Sequence, residues 1–449
     1  MKTKTLQSAI LGILAWMTLN ASATTLTEAQ KPSADAFKSM RYGLFTTVTY
    51  TLTITPDGQK SYASLDEFAN GFDVNAYADA VQSMGVEYVF FTAWHFAMYS
   101  LGPNAALEKW LPGHTSKRDL IGEVADALNQ RGIKLVIYAH PNDGHDLKPE
   151  EQEKIGYLKA LKKGVPPIPK FNDFINEVYA ELVGRYANKP NVIGFWLDSW
   201  HANGDRLDMP RLRNTILTAM PRAILLSNRY IPEFIDFYSL ETYYTNGPAG
   251  DINNLIARNE NQSTVFCGYW WCRSLKETSP YSAETLFKFT VLNACTGAPG
   301  GMSWAVSPAA DGKTWTGNTL EVMQKLGAYI QPIRASLCGV AASPNWQVPD
   351  KSNFSASPGY GATRSLDGKK DYLHVLKAPQ GKSLEVTLPK ACDKCGAKPA
   401  SFKSATLLKN GHPVKMEKTE QALRFTLAES DTWDPLDTVI VLELETGAQ

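Results

Sequence analysis

Between Tyr42 and Val306 the chain carries eight short apolar runs, each ending at or beside a polar or aromatic residue. They are Tyr42–Thr47, Tyr88–Thr92, Lys134–Tyr138, Val192–Leu197, Ala223–Leu226, Ile235–Leu240, Val265–Tyr269 and Gly301–Val306. Helical patterns lie between them, at Val74–Met84, Leu120–Arg131, Asn172–Tyr186, Met209–Ala219 and Ala283–Ala294. A run apolar at nearly every position reads as a strand covered on both faces, which is the mark of a parallel sheet. Strand alternating with helix requires the same pairing. Eight such units predict a (β/α)8 barrel. Asn228–Phe234 is short for a crossover helix, so the barrel is expected to be irregular between its fifth and sixth strands.

After a helix around Leu320–Ile330, which Pro332 should end, the texture changes. Ser343–Gly361 is rich in Ser, Pro, Gly and Asn, and short alternating runs follow at Tyr372–Leu376, Ser383–Leu388, Ser404–Leu408, Leu423–Leu427 and Val439–Leu444. These read as antiparallel strands joined by turns such as Asn410-Gly411. The expected fold class is α/β: a (β/α)8 TIM-like barrel over residues 24–339, then an antiparallel β-sandwich over residues 340–449. No internal repeat or low-complexity tract is visible.

The first residues read as an export signal. Lys2 and Lys4 give a positive start, Ala9–Leu19 an apolar run, and Ala21-Ser-Ala23 a small-residue cleavage site. Residues 1–23 are therefore expected to be removed, leaving a soluble chain in a periplasm or outside the cell, with no stretch of membrane-spanning length. Lys+Arg and Asp+Glu balance at 45 each, so no bulk field draws the chain to nucleic acid or anionic lipid. A neutral substrate fits better, and 11 Trp and 19 Tyr supply faces for sugar rings. Of the six cysteines, Cys392-Asp-Lys-Cys395 lacks a second pair or nearby His and reads as a loop disulfide rather than zinc. Cys267 and Cys272 sit in a run too apolar for a metal knuckle. Neither metal nor cofactor is assigned.

The active site of a parallel barrel lies at the carboxyl ends of its strands. Three groups stand there: Asp198 after strand four, Asn228-Arg229 after strand five and Glu241 after strand six. A carboxylate ending a buried strand is costly unless it is paired, hydrogen-bonded or working. Cleaving a glycosidic bond uses two of them, one ionised at the anomeric carbon and one protonated at the leaving oxygen. The competing reading makes Asp198 a cap or loop fastener and Glu241 an ion-pair partner of Arg229. The polar, aromatic sequence Leu197-Asp-Ser-Trp-His201 favours function, with Trp200 at the sugar site. His95 closes strand two and Tyr138 and His140 close strand three, as hydroxyl contacts or as hydrogen-bonded core residues. Trp270 and Trp271 follow strand seven; alternation turns one of them to the cavity. Trp304 on strand eight is expected in the core.

At these residues the chain resembles the α-L-fucosidases of glycoside hydrolase family 29, over nearly all of its length. Arg41-Tyr-Gly-Leu-Phe45 resembles the opening strand. Phe72-Asp-Val-Asn-Ala-Tyr-Ala-Asp79 and Met84-Gly-Val-Glu-Tyr-Val89 resemble the helix and second strand, and Lys117-Arg-Asp-Leu-Ile-Gly-Glu123 the segment before the third. Phe195-Trp-Leu-Asp198 resembles the strand ending in the family's nucleophilic aspartate. Ser227-Asn-Arg229 resembles the step after it, and Pro308-Ala-Ala-Asp-Gly312 a loop near the end of the barrel. The resemblance implies a retaining exo-hydrolase of α-linked L-fucose in an oligosaccharide or glycoconjugate, with Asp198 as nucleophile and a glutamate as acid/base, where Glu241 holds the expected place. Its two carboxyl groups should lie about 5–5.5 Å apart.

Two departures concern the sugar. Thr47-Val-Thr49 stands where the family carries His-Trp-Gly, and Phe96-Ala-Met98 follows His95 where it carries His-Asp-Gly. Either Thr47, His140 or His201 takes over the lost contacts, or the glycone is not plain L-fucose. An endo-acting hydrolase of a fucose-containing polysaccharide and an inactive sugar-binding relative remain as alternatives, and the sandwich either packs on the barrel or binds glycan itself.

Overall fold

The eight apolar runs are eight parallel strands: β1 (Tyr42–Thr46), β2 (Tyr88–Trp94), β3 (Lys134–Ala139), β4 (Val192–Leu197), β5 (Ile224–Ser227), β6 (Phe237–Thr242), β7 (Gln262–Phe266) and β8 (Met302–Ala305). Each pairs with the next, and β8 returns to β1 with Ser303 opposite Gly43, so the sheet closes into a barrel. The computed structural model describes residues 25–58, 62–157, 167–198, 207–228, 234–242, 262–266, 275–276, 278–279, 281–344, 346, 359–387, 401–419 and 422–445, without the side chains of 241–242 and 262–266. The expected leader therefore lies outside the described residues. No helix among them is long and apolar enough to cross a membrane.

Both faces of these strands are apolar because both are covered. Phe45, Tyr88, Phe90, Val136, Tyr138, Trp196, Leu226 and Phe237 fill the barrel. Their neighbours Leu44, Val89, Phe91, Leu135, Ile137, Phe195 and Leu225 pack outward in the layer shared with the helices. That alternation is the strand period of two. A helix at Lys31–Ser39 plugs the end where the strands begin, its Phe37 ring 5.5 Å from Tyr88 and 5.1 Å from Phe237. The outer helices start on side-chain caps: Asp73, Asn104, Asp119, Asp208 and Ser282 each accept a backbone N–H from the first turn. The opposite end stays open to the loops that carry the site.

The irregularity expected after β5 is present. No helix occupies the described part of residues 228–236. Asp236 fastens the connection instead, accepting Leu225 N–H and Gln30 Nε2 at 2.8 Å each and pairing with Arg213 at 2.7 Å. One expectation needs correction. β7 already includes Gln262–Phe266, starting three residues before the expected Val265 because the strand takes its polar start. Trp270 and Trp271 lie outside the described residues. Pro332 ends the helix Thr319–Ile330 but not the winding: a 3-10 turn at Gln331–Ile333 and a short helix at Arg334–Leu337 follow, since proline is tolerated in the first turn of a new segment.

Gly194 on β4 sets the approach of β4 to β5. A Cβ there would stand 2.1 Å from the Ile224 carbonyl oxygen and 2.6 Å from Ile224 Cγ1. Gly194→Ala should therefore destabilise the barrel by about 1–3 kcal/mol, as overpacking does. Urea unfolding reads this directly, and an unchanged midpoint would contradict the tight β4–β5 approach.

The C-terminal strands are β9 (Val340–Ala342), β10 (Tyr360–Ser365), β11 (Lys370–Val375), β12 (Ser383–Thr387), β13 (Phe402–Leu407), β14 (Lys415–Lys418), β15 (Ala422–Thr426) and β16 (Thr438–Leu444). They form antiparallel sheets ordered β13-β16-β11-β10-β9 and β12-β15-β14. Trp346, Leu373, Val386, Phe425, Ile440 and Leu442 make the core between them, which defines a sandwich. The Asn410-Gly411 turn forms, with Gly411 at φ +73°, and carries the chain from β13 to β14 of the opposite sheet. The sandwich is seated on the barrel through the Ser336 carbonyl, which accepts Thr363 Oγ1 and lies 3.3 Å from His374 Nε2. His374 Nδ1 in turn meets Asp437 Oδ2 at 2.6 Å. Cys295 and Cys338 are free thiols, and Cys267, Cys272, Cys392 and Cys395 lie outside the described residues.

Candidate active site

β4 delivers Asp198 to the open end of the barrel, where it is only 3% exposed. Its backbone N–H extends the ladder to the Ala139 carbonyl at 3.1 Å. Beneath it, in the direction of the strand starts, lies a layer of rings. Trp196 is 4.8 Å from Phe45, 5.4 Å from Phe90 and 5.0 Å from Tyr138. The Tyr138 hydroxyl rises from this layer and donates to Asp198 Oδ2, while Asn228 Nδ2, just past β5, donates to Oδ1 at 3.0 Å. Each carboxylate oxygen thus accepts at least one hydrogen bond, and the group is fixed in orientation.

His95 reaches this carboxylate through a break in strand alternation. Tyr88 and Phe90 point into the barrel, and continued alternation would send Trp94 the same way. A register shift between Thr92 and Trp94 intervenes. Trp94 packs outward, its ring 5.4 Å from Tyr179 and its Nε1 donating to the His140 carbonyl at 3.2 Å. His95 is turned inward, with Nε2 4.0 Å from Asp198 Oδ2. Re-aiming a side chain is a common use of such irregularities beside active sites. The residues that follow, Phe96, Ala97 and Met98, all have left-handed backbones, with φ of 56°, 50° and 53°. Phe96 stacks on the His95 ring at 4.1 Å and donates its N–H to His95 Nδ1. His140 stands beside His95, with ring centroids 5.2 Å apart, and its Nδ1 accepts Asn142 N–H at 3.2 Å.

Burial opposes ionisation of Asp198, but His140, His95, Tyr138 and Asn228 together outweigh it, so its pKa lies below the usual carboxylate value. Burial also lowers His95 to about 4 and lowers His140. Both rings are therefore neutral near pH 7, and there the hydrogen bonds from Tyr138 and Asn228 carry the effect. Behind His95, burial pushes the Asp143 carboxyl up to about 7, with Asp143 Oδ2 3.4 Å from His95 Nδ1.

A pH profile follows. If Asp198 must be ionised to react, activity is full at neutral pH and falls only as pH drops through its lowered pKa, below the ordinary value of about 4. Tyr138→Phe removes a hydrogen bond that favours the ionised form, so the acid limb of kcat/KM should move to higher pH. A hydrogen bond to a charged group is worth about 1.5–3 kcal/mol, roughly 10- to 150-fold in rate. An acid limb unmoved in Tyr138→Phe would dissociate Asp198 from that limb.

Asp198, Tyr138, His95 and His140 are thus brought together at the mouth of the barrel. Thr47 is buried just past β1, its N–H on Ser307 Oγ at 2.7 Å, and its own hydroxyl oxygen has no hydrogen-bond partner among the described residues. Glu241 lies in the last turn of the β6 ladder opposite Val265, and its side chain is outside what is described. Trp200, His201, Arg229, Trp270 and Trp271 are also outside the described residues. Trp304 is in the core as expected, with Nε1 on Thr290 Oγ1 at 3.0 Å. Sequence reasoning passed over the roles of Asn228 and Asp143. The signal for Asp143 was available in the polar run Asn142-Asp-Gly-His-Asp146 directly after β3.

A parallel barrel with an oriented, ionised carboxylate at its strand-end mouth and a β-sandwich on its flank is the arrangement of a barrel glycoside hydrolase. The sequence profile described as alpha-L-fucosidase matches residues 11–333, and the chain belongs to that family. Among curated proteins no match is found. Solved structures agree in fold. An α-L-fucosidase of family 29 from Bacteroides thetaiotaomicron has TM-score 0.64 at 17% identity, covering 95% of this chain and 98% of its own. A family-29 α-L-fucosidase from Bacteroides thetaiotaomicron trapped as a covalent intermediate with 2-fluoro-fucosyl fluoride gives 0.63 at 17%, covering 95% and 99%. The Thermotoga maritima α-fucosidase, bound to a mechanism-based inhibitor, gives 0.62 at 16%, covering 92% and 97%.

Proposed function

We propose that this protein is a retaining exo-α-L-fucosidase, exported by its N-terminal leader, in which Asp198 attacks the anomeric carbon and Glu241 protonates the leaving oxygen. One observation carries the reading. The carboxylate at the end of β4 is buried, ionised and held by a donor on each oxygen, so a lone pair is presented at fixed orientation. Attack by Asp198 forms a glycosyl ester and releases the aglycone, which takes the Glu241 proton. Glu241 then removes a proton from water, which cleaves the ester and returns both carboxyls to their starting states. The Bacteroides thetaiotaomicron relative trapped as a covalent intermediate follows such a course, and the family membership supports it here.

Neutral imidazoles at His95 and His140 suit uncharged hydroxyls, since each offers one donor and one acceptor without fixing a charge. The site is otherwise altered from the family pattern at Thr47 and Phe96. Thr47 is buried with a hydroxyl that no described residue answers, and Phe96 covers the His95 ring. These observations favour a second reading of the glycone, an L-fucose-like sugar with a different substituent, such as α-L-galactose. Hydrolysis of a panel of aryl α- and β-glycosides separates the two, and proton NMR of the first sugar released tests the mechanism. We expect an α anomer first. A β anomer first, from an α-glycoside, would overturn retention.

A further inference from the structure

We propose that Asp143, His145 and Asp146 form a site for one first-row divalent cation, Zn²⁺ or Mn²⁺ in class, that braces the rim of the active site. The three residues lie on the loop after β3 and offer one ligand atom each, all within 4.8 Å of one another. Proximity alone does not make a site, and a second observation points to a ligand. Asp143 is fully buried; its Oδ2 faces His95, while its Oδ1 is buried and accepts no hydrogen bond from the described residues. An unsatisfied carboxylate oxygen in the interior is costly, and native structures meet that cost with a donor, a water or an ion. Here Oδ1 points to His145 Nδ1 at 3.5 Å. Two ligands of a tetrahedral ion with bonds of about 2.0–2.1 Å stand about 3.4 Å apart, so this pair already has nearly the spacing of a shared cation.

The donor set indicates the ion. One imidazole with two carboxylates suits zinc or manganese, whereas Ca²⁺ calls for six to eight oxygens. Asp146 is exposed and stands at the entrance, so an ion could enter from solvent and keep water in its remaining positions. Gly144 lets the loop fold this way, since a Cβ there would lie 2.6 Å from the Tyr157 ring.

The second oxygens of both carboxylates lead to the loop after β2. Asp143 Oδ2 meets the His95 ring, and Asp146 Oδ2 accepts Ala97 N–H at 2.9 Å. Ala97 is the middle of the left-handed turn, a conformation unfavourable for a non-glycine residue, and its carbonyl is held from the other side by His114 Nδ1 at 2.7 Å. A cation fixing Asp143 and Asp146 would therefore fix that turn and the ring of His95. The outer partners of a ligand commonly matter in this way.

The test uses the full chain, stripped with a chelator and dialysed, titrated calorimetrically with ZnCl2 and with MnCl2, with thermal unfolding in parallel. We expect one ion per chain and a rise in Tm. His145→Ala and Asp146→Asn should each weaken binding about tenfold or more and lose the gain in Tm, with the metal-free Tm of each near that of the parent. His145→Gln serves if the alanine variant fails to fold. No binding of either metal at millimolar concentration would overturn the proposal. So would binding that survives undiminished in the variants, which would place the ion elsewhere, for example at the cysteines.

Discussion

Asp198→Ala should abolish hydrolysis of an aryl α-L-fucoside, with a fall in kcat on the order of 10⁴–10⁶ of the kind seen when a covalent nucleophile is removed. The size follows from what the side chain does. No other described carboxylate meets both the Tyr138 hydroxyl and the Asn228 amide, so the ester has nowhere else to form. Folding should survive. The variant leaves two buried donors unanswered, at about 1–3 kcal/mol each, but also removes a buried charge whose desolvation opposed the fold. Asp198→Asn keeps the shape and controls for that loss. An added small anion such as azide should restore part of the turnover in the alanine variant, because the space left by the carboxylate then admits an external nucleophile. Circular dichroism melts and initial rates check the pair of claims. If Asp198→Ala keeps substantial activity, the β4 carboxylate is a structural fastener and the proposed mechanism fails.

Much of the barrel was readable because burial on both faces leaves a direct mark. Val192–Leu197 is apolar at every position since its residues divide between two cores, Ile193 and Trp196 in the inner one and Val192, Phe195 and Leu197 in the outer, and the chain matches it to the residue. The helix starts at Leu120 and Ala283 followed from the apolar pattern, and the structure shows that Asp119 and Ser282 cap them. The strands that were missed lack that signal. β14 is Lys415-Met-Glu-Lys418, nearly all exposed, and it is a strand because β15 offers it a ladder. β10 opens Tyr360-Gly-Ala, where a glycine and an alanine break the apolar signal although Tyr360 and Ala362 pack into the sandwich core. β7 was placed late because Val265-Phe-Cys-Gly-Tyr269 is more apolar than the Gln-Ser-Thr start that pairs with β6. In the site, Asp198 was visible as a carboxylate in a place that tolerates none without cause. The inward turn of His95 was not, since it depends on a one-residue register shift between β2 and β3 that no local pattern encodes. Asn228 owes its role to standing one strand away from Asp198, which is a property of the closed sheet and not of its own neighbours.

Glu241→Ala should reduce turnover of fucosides with poor leaving groups by about 10²–10⁴, the usual worth of a positioned general acid, and affect activated aryl fucosides far less. β6 carries position 241 to the mouth end of its ladder, opposite Val265 of β7. An acid is needed only where the departing oxygen cannot carry its charge, so a phenol with strong electron withdrawal leaves almost unaided and a sugar hydroxyl does not. The rival role, an ion pair with Arg229, makes no such distinction: its loss would disturb the site for every substrate alike. The ratio of the two losses is therefore the diagnostic quantity. The pH profile gives a second reading, because a general acid sets the basic limb of kcat/KM and that limb should vanish for natural-type substrates in the variant. Equal losses with an intact basic limb would assign the proton to another residue. Selective loss with a vanished limb would complete the pair that a retaining hydrolase requires, one carboxylate kept ionised by Tyr138 and Asn228 after β4 and one acid on β6, two strands further round the barrel.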